Sequence, residues 1–279
     1  MDPDSNPDAD ADREFDPRVL GDLVARDRLD PGNRPVPPDR VPGGPPAELR
    51  PDAPALRAPA LDREYDYRRF CTTAWKVGNF LTHLGVGGGR TVAVADDPTP
   101  EPVLALYGAG LLGASVAFVD LEEGAGGEGD DPPRALLAPV DRIGAGGGST
   151  TKRVAYGGPP DDPAVAHFER DVWSENPTEP PDPVAADAAL LRDGATLAHA
   201  GVLAAARGVV DRWALGPGGS VAVRAPLTAP GTVVAGLVAP VLAGAAVLLP
   251  DGRSEGTHAV AVGDAPEPAV IEPSDVSGL

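Results

Sequence analysis

The strongest constraint on the fold is a long pattern that occurs twice in the sequence. In residues 75–120 a helical stretch ends at the glycine run 87–89. It is followed by the apolar run Thr91–Ala95, a small-residue stretch at 103–112 and a second apolar run, Ser115–Val119. Glycine accepts the left-handed backbone that ends many helices, and short β-branched runs are typical of buried strands. The order helix, turn, strand, helix, strand predicts a parallel βαβ unit preceded by a helix.

The same order returns in residues 202–249. A helical stretch ends at LGPGG, and a strand, an apolar helix and a closing strand follow. The segments LGVGGGRTVAV and LGPGGSVAV align apart from a gap, and so do LLGASVAFV and VLAGAAVLL. A repeat of whole units predicts an α/β fold of two repeated βαβ lobes with mainly parallel sheets.

Composition around the repeat predicts how the chain is divided. The predicted parts are an acidic disordered tail (1–15), a first α/β lobe (16–173) with a proline-rich insertion (31–60), a linker (174–186), a second α/β lobe (187–250) and a C-terminal tail (251–279). Weaker patterns predict a short amphipathic helix (17–29), a helix after an Asp62 N-cap (63–84), a helix (164–173) and two tail strands (259–262 and 269–271).

Charge limits the classes of partner. The sequence has 42 acidic and 23 basic side chains, a net charge of −19, and its two lysines are Lys76 and Lys152. Such a balance can mark a disordered chain, but the long apolar runs of the repeat argue against that. It is also typical of a protein from a high-salt cytoplasm, where salt screens the repulsion between surface carboxylates. No basic patch is present to neutralise phosphates, so we expect no nucleic-acid partner.

Other features argue against disulfide, metal, export and membrane interpretations. Cys71 is the single cysteine, and the four histidines are scattered without metal-ligand spacing. The opening residues MDPDSNPDADAD lack the basic and apolar regions of an export signal, so we expect a cytoplasmic protein. The uncharged run 225–250 is interrupted by prolines and repeats the pattern of 103–119, so we expect buried elements there and no membrane partner.

Five segments, in order along the chain, carry a resemblance to a known family. They are YDYRRF (65–70), LGV with RTVAV (84–94), the run 104–119, HAGVLAAA (199–206) and the run 226–249. Each is similar to a segment of the N-terminal part of the adenylate-forming enzymes, which include acyl-CoA synthetases, firefly luciferase and peptide-synthetase adenylation domains. The resemblance implies the fold of the large N-terminal domain of acyl-CoA synthetases.

The segment 190–199, LLRDGATLAH, departs most from that family. The family has there a loop of the type [S/T]SGTTGxPKG, whose backbone N–H groups and hydroxyls hold the phosphates of ATP. Here the run of hydroxyls, the second glycine and the lysine are missing, and Asp193 adds negative charge. An earlier segment, GAGGGSTTK (144–152), lacks the GK[ST] ending of a phosphate loop, and we interpret it as a flexible linker.

Three residues are candidates for binding a cofactor in a vestigial cleft. His199 and Thr196 lie in or next to the altered loop, and Arg224 ends a predicted strand, where α/β folds bind ligands. The family's aromatic–histidine pair is replaced by Thr228 and Ala229. The family's later motifs and its catalytic lysine have no counterpart in this sequence, so no catalytic residue and no metal ligand is assigned.

These departures set the expected function. We expect a degenerate, shortened, acyl-CoA synthetase-like protein that does not adenylate a substrate and needs no cofactor. Its role would be binding or regulatory, beside a full-length synthetase or as a homodimer. One alternative is an active or split AMP-binding ligase that uses ATP or AMP with Mg and is completed by a missing C-terminal chain. The second alternative is an unrelated small-molecule-binding or structural α/β module.

Overall fold

The computed structural model describes residues 51–122, 132–144, 150–180 and 184–279. The predicted acidic tail (1–15), the predicted helix (17–29) and most of the proline-rich insertion lie outside the described residues. The glycine-rich segments 123–131 and 145–149 also lie outside the described residues.

The described residues form two β-sheets and the helices that cover them. The strands are β1 (Pro54–Ala58), β2 (Arg63–Asp66), β3 (Thr91–Ala95), β4 (Ser115–Val119), β5 (Ala135–Pro139), β6 (Lys152–Tyr156), β7 (Ala166–His167), β8 (Ala189–Asp193), β9 (Ala195–Ala198), β10 (Ser220–Arg224), β11 (Ala246–Leu248), β12 (His258–Ala261) and β13 (Val270–Ile271). The helices are α1 (Tyr67–His83), α2 (Pro100–Gly110), α3 (Phe168–Trp173) and α4 (His199–Trp213). A fifth helix, α5, has a π-helical centre, and its three parts are Pro230–Thr232, Val233–Val238 and Ala239–Ala243.

Both sheets are mainly parallel, as the repeat predicts. The first sheet has the order β7-β6-β5-β3-β4-β8-β9, and only its β8–β9 pair is antiparallel. The second has the order β13-β12-β10-β11-β1-β2, with β1–β2 antiparallel. The two repeated units are β3-α2-β4 and β10-α5-β11, and each is preceded by a longer helix, α1 or α4. The α/β prediction is therefore confirmed.

Sheet membership does not follow the predicted lobe boundaries. Strands β8 and β9 come from the predicted second lobe but join the first sheet, and β1 and β2 from the predicted first lobe join the second sheet. The predicted C-terminal tail supplies β12 and β13 to the second sheet. The physical reason is that local composition predicts the lobe boundaries, whereas these strands pair with partners far away in the sequence.

The start of helix α1 also differs from the prediction. Residues 63–66 form strand β2, and the helix begins at Tyr67, because the carboxylate of Asp66 accepts a hydrogen bond of 2.7 Å from the backbone N–H of Arg69. Asp62 instead ends a short 3₁₀ turn with a positive φ of 51°. Both aspartates suit an N-cap by residue type. The strand pairing of residues 63–66 with β1 decides between them.

Helices α1 and α2 pack closely and bind the two units together. The rings of Phe70 and Tyr107 meet edge to face, with their centroids 5.1 Å apart. The hydroxyl of Tyr107 donates a 2.9 Å hydrogen bond to the carbonyl of Leu237, in the π-helical part of α5. The hydroxyl of Tyr67 donates to the carbonyl of Ala245 at 2.7 Å, just before β11. Helices α1 and α2 are therefore hydrogen-bonded to buried backbone carbonyls of the second repeated unit.

The uncharged run 225–250 is divided between helix α5 and strand β11, as its resemblance to 103–119 predicts. Its residues are largely buried against the sheets. Within the described ranges, no helix combines the length and the apolar character needed to cross a bilayer.

Candidate functional site

Each sheet has a point at which the direction of strand addition reverses. From β3 the chain passes through α2 to β4 on one side, and β5 then lies on the other side of β3. In the second sheet, β10 lies between β11 and β12 in the same way. Open α/β sheets bind ligands in the crevice outside the carboxyl ends of the strands at such a switch point. The carboxyl ends of β3 and β5, and of β10 and β12, are therefore the candidate crevices.

The first switch point is occupied by a hydrogen-bonded cluster around Asp97. Its carboxylate accepts hydrogen bonds from the hydroxyls of Tyr156 (2.8 Å) and Thr99 (3.1 Å), and it lies 3.3 Å from the guanidinium of Arg142. Burial raises the pKa of Tyr156, and the carboxylate of Asp97 raises it further. The tyrosine is therefore a neutral donor near pH 7. The side chain of Arg142 is 41% exposed, so it is the group in this cluster most available to solvent.

The neighbouring residue, Asp96, connects the two switch points. Its carboxylate accepts hydrogen bonds from the backbone N–H groups of Leu227 (3.0 Å) and Thr228 (3.4 Å). These residues follow β10, so the carboxyl ends of β3 and β10 face each other. The N–H groups that could meet an anionic ligand here are already bound to a carboxylate of the same chain.

Arg224, the last residue of β10, forms an ion pair with Glu267, which lies in the segment between β12 and β13. The guanidinium donates from Nε to Oε2 at 2.8 Å and from a terminal nitrogen to Oε1 at 2.6 Å. The same nitrogen donates to the carbonyl of Ser254 at 2.9 Å, and the N–H of Gly256 donates to Oε1 at 3.1 Å. Burial alone would raise the pKa of Glu267, but the hydrogen bonds from Arg224 and Gly256 outweigh it and hold that pKa below its ordinary value.

A tight β-hairpin is formed by the segment that the sequence resemblance aligns with a phosphate-binding loop. Strands β8 and β9 pair Arg192 with Thr196 and Asp193 with Ala195, so that Gly194 alone makes the turn. Gly194 has a φ of +59°, a backbone conformation that glycine adopts readily. Thr196, a predicted cofactor-binding residue, lies on an exposed part of β9. The hairpin leaves no extended loop to surround phosphates.

His199, another predicted cofactor-binding residue, begins helix α4 directly after the hairpin and is 5% exposed. Its side chain lies in the space between α2, β8 and α5. A small cavity of about 20 Å³ lies there, with room for about one water molecule. It is lined by Leu106, Tyr107, Gly110, Leu111, Leu190, His199 and Val238. The lining is mostly apolar, and the cavity is too small to hold a ligand.

The three predicted residues have different surroundings. His199 lines the cavity, Thr196 lies on the exposed hairpin, and Arg224 is paired with Glu267. The sequence analysis did not identify Glu267, because it lies in the predicted tail outside any motif. It also missed Asp96 and Asp97, although two aspartates directly after a buried strand are a signal that could have found them. In the described part of the chain, no three His, Cys, Asp or Glu side chains are grouped as a metal site requires.

No protein-family model matches the sequence, and no curated protein matches it. Solved structures do match the fold. The structure is similar to the anthranilate CoA ligase AuaEII in complex with anthranoyl-AMP, with a TM-score of 0.68, 19% identity and coverage of 86% of this chain and 49% of that chain. It is also similar to apo MatB from Rhodopseudomonas palustris, with a TM-score of 0.58, 16% identity and coverage of 82% of this chain and 44% of that chain.

A third similar structure is the inhibitor-bound N-terminal domain of FACL13 from Mycobacterium tuberculosis. The TM-score is 0.57 at 18% identity, and the match covers 82% of this chain and 56% of that chain. This chain thus spans about half the length of the solved chains that it matches. The resemblance read from the sequence is confirmed for the fold. The protein has the fold of the large N-terminal domain of the adenylate-forming acyl-CoA and aryl-CoA ligases.

Proposed function

We propose that the protein is a relative of the AMP-forming ligases that binds a ligand or regulates a partner and does not adenylate a carboxylate. One observation carries this proposal. The β8–β9 hairpin turns on Gly194 alone where the family has a phosphate-binding loop. Phosphoryl chemistry depends on N–H groups, hydroxyls and cations placed around the phosphates. The hairpin carries an exposed Thr196, an exposed Arg192 and a carboxylate, Asp193, but no run of N–H groups and hydroxyls in a loop.

The placement of the lysines supports the same proposal. The ammonium of Lys76 donates a 2.9 Å hydrogen bond to the carbonyl of Trp173 at the end of α3. Lys152 begins β6, which β5, β3 and β4 separate from the hairpin in the sheet order. Neither of the two lysines of the sequence is therefore placed to neutralise a phosphate at the hairpin.

Calorimetric titration and an exchange assay test the proposal. The purified protein, shown to be folded by circular dichroism, is titrated in high KCl with Mg-ATP, AMP and an acyl-CoA, and ATP–pyrophosphate exchange is measured with carboxylate substrates. We expect no exchange and no saturable binding of Mg-ATP. Exchange above the background of a protein-free control would contradict the proposal, whatever the titrations show.

The alternative is that this chain is one part of a split ligase. The observation that favours it is that the match covers only about half of each solved chain. Under this alternative a second chain supplies the missing catalytic groups. Mixing this protein with a candidate chain that has the remaining domains, and finding exchange that neither chain gives alone, would establish the split enzyme. Under our proposal, the protein instead changes the activity of a full-length ligase without contributing exchange of its own.

We also propose that the protein works in a high-salt cytoplasm. Its net charge of −19 makes the folded state repel itself at low ionic strength. Raising KCl from about 0.1 M to about 1 M shortens the screening length from roughly 10 Å to roughly 3 Å. We expect the thermal unfolding temperature to rise over that range. An unchanged or lower unfolding temperature in calorimetric scans would contradict the proposal.

A further inference from the structure

We propose that the exposed face of helix α1 is a docking surface for the acidic tail (1–15) of the same chain. We call this face the α1 surface and define it by Arg69, Thr72 and Lys76 of α1 and by Trp173 at the end of α3. The inference goes beyond the function proposed above and does not depend on whether the protein adenylates a substrate.

The charge of α1 is opposite to that of the whole chain. The helix has 17 residues, among them Arg68, Arg69 and Lys76, and it contains no aspartate or glutamate. The whole chain has a net charge of −19. One face of α1 follows a spacing of three and four residues, and its positions are not buried: 69, 72, 76, 79 and 83. The helix therefore presents a cationic stripe on a protein whose overall field is negative.

Within the described part of the chain, the two cations of the α1 surface have no carboxylate at ion-pair distance. The guanidinium of Arg69 donates to the carbonyl of Glu64 at 3.1 Å and lies 4.5 Å from the ring centroid of Tyr65. The ammonium of Lys76 donates to the carbonyl of Trp173 at 2.9 Å and lies 5.3 Å from the centroid of its ring. A guanidinium has five N–H donors and an ammonium has three, so both groups keep donors for an anion.

Carboxylates that border the α1 surface already lie close to other basic side chains. They form the pairs His83–Glu175 (3.4 Å), Arg170–Asp171 (2.7 Å) and Arg57–Glu64 (2.9 Å). Arg69 and Lys76 therefore remain available to carboxylates from outside the described residues.

Trp173 adds an apolar element to the same surface. It is 81% exposed, although its indole ring is large. Residues 1–50 contain one aromatic side chain, Phe15, and it lies at the end of the acidic tail. Two aromatic rings attract each other beyond the effect of the area they bury. The tail thus has both kinds of group that the α1 surface can bind, carboxylates and one ring.

The acidic tail has the complementary charge, and the chain leads to it from the right place. The tail has six carboxylates and one basic side chain, Arg13. The described chain begins at Pro51, whose carbonyl accepts a 3.0 Å hydrogen bond from the backbone N–H of Arg68 at the start of α1. Lys76 lies about 12 Å further along the helix. The segment 16–50 can span up to about 120 Å when extended, so the tail can reach the whole surface.

The covalent connection favours this occupant over a separate molecule. Exposed ion pairs are individually weak. A segment held by a flexible linker, however, is present at an effective concentration in about the millimolar range, so weak contacts are sufficient. Because the contacts lie at the surface, they weaken when about 1 M KCl shortens the screening length to roughly 3 Å. The tail then covers the α1 surface in dilute salt and leaves it as the KCl concentration rises.

A spin label on the tail tests the proposal in the full chain. Cys71 is buried, so a label attached through Ser5→Cys reports on the tail alone. At about 0.1 M KCl we expect it to broaden the amide signals of Arg69, Thr72 and Lys76 and the indole N–H signal of Trp173, and at about 1 M KCl we expect the broadening to decrease. The same sample with the label reduced is the reference. Signals of the α1 surface that keep their full intensity in dilute salt would overturn the proposal.

Charge reversal shows whether the tail selects this surface. The double variant Arg69→Glu, Lys76→Glu should lose the broadening. Arg212→Glu is the matched control, because Arg212 is an exposed cation near the end of α4, the helix that corresponds to α1 in the second repeated unit. We expect it to keep the broadening. Broadening that survives the double variant, or equal losses in the two proteins, would contradict a specific surface.

A third variant leaves the described residues unchanged and covers the case in which the double variant does not fold. In it, the tail aspartates at positions 2, 4, 8, 10 and 12 are replaced with asparagine. We expect the same loss of broadening at about 0.1 M KCl. Unchanged broadening would show that charge does not hold the tail on the α1 surface.

A mixed sample separates binding within one chain from binding between copies. Spin-labelled chains without isotope are mixed with isotope-enriched chains that carry no label. We expect the signals of the α1 surface to stay sharp in the mixture. Broadening as strong as in the singly labelled chain would assign the surface to the tail of a second copy and overturn the proposal.

Discussion

Replacing Phe70 with alanine is expected to lower the free energy of unfolding by about 3–5 kcal/mol, the usual cost of removing a buried aromatic ring. Phe70 is fully buried in α1, and its ring packs edge to face on Tyr107 of α2. The ring of Tyr107 is in turn fixed by the hydrogen bond of its hydroxyl to Leu237 in α5. Loss of the Phe70 ring therefore leaves a cavity at a point where both repeated units meet. Urea denaturation followed by circular dichroism measures the change.

Phe118→Ala is the matched control for this prediction. Phe118 lies in β4 and is only partly buried against the same core. The same ring is removed there, but less apolar surface becomes exposed and the site can relax toward solvent. We expect a clearly smaller loss. Equal losses for the two variants would show that the junction between the units has no special role in stability.

Arg224→Ala is expected to lower the free energy of unfolding by about 3 kcal/mol, near the lower end for a broken buried pair. The variant leaves the fully buried carboxylate of Glu267 without its cation. The lower end is appropriate because the Arg224 side chain keeps 18% exposure. Arg57→Ala is the control, since the Arg57–Glu64 pair has a similar distance of 2.9 Å but side chains that are 50% and 55% exposed. There we expect less than about 1 kcal/mol.

The loss caused by Arg224→Ala should also depend on pH, with a definite sign. The pKa of Glu267 lies below its ordinary value of 4.5 in the folded protein. The pair therefore contributes its full stability above pH 4.5, and the contribution disappears as the pH falls through the folded pKa. The difference between wild type and variant should shrink on acidification and stay constant above that range. A difference that grows toward low pH would contradict the assignment of the ion pair.

The repeated units were predictable because their signals are local. The strands Thr91–Ala95 and Ser115–Val119 occur with the predicted bounds. A parallel strand that is buried on both faces is apolar at every position, and the glycine turns before it are equally visible. The helices α2 and α4 extend the predicted stretches by about one turn at their N-terminal ends, where Pro100 and His199 begin them. Helix boundaries often shift by this much.

The remaining strands could not be read from the sequence in the same way. Strand β1 is five residues long and has Pro54 at its start and Pro59 directly after it, a composition typical of a loop. It forms because Leu56 pairs with Val247 of β11. Tertiary pairing of this kind overrides local preference.

The residues of the candidate site also fall into two groups, those that a local sequence pattern predicts and those that depend on contacts distant in the sequence. The strand end at Arg224 follows from the pattern. The partner of Arg224 does not, because Glu267 lies in a segment rich in proline and glycine, outside any periodic run. An ion pair between such positions depends on how β12 and β13 return to the sheet, which no local signal describes. The burial of His199 depends in the same way on the packing of α2 and α5 around it.

The pairing of β1 with β11 also has a consequence for how the chain is made. Leu56 is synthesised well before its partner Val247, which follows it by about 190 residues. Contacts between residues so distant along the chain close late and slow the folding of a domain. Until then, the apolar strand β1 has an unpaired edge, and this edge can pair with strands of other nascent chains. The second sheet therefore cannot be completed until β11 has been synthesised.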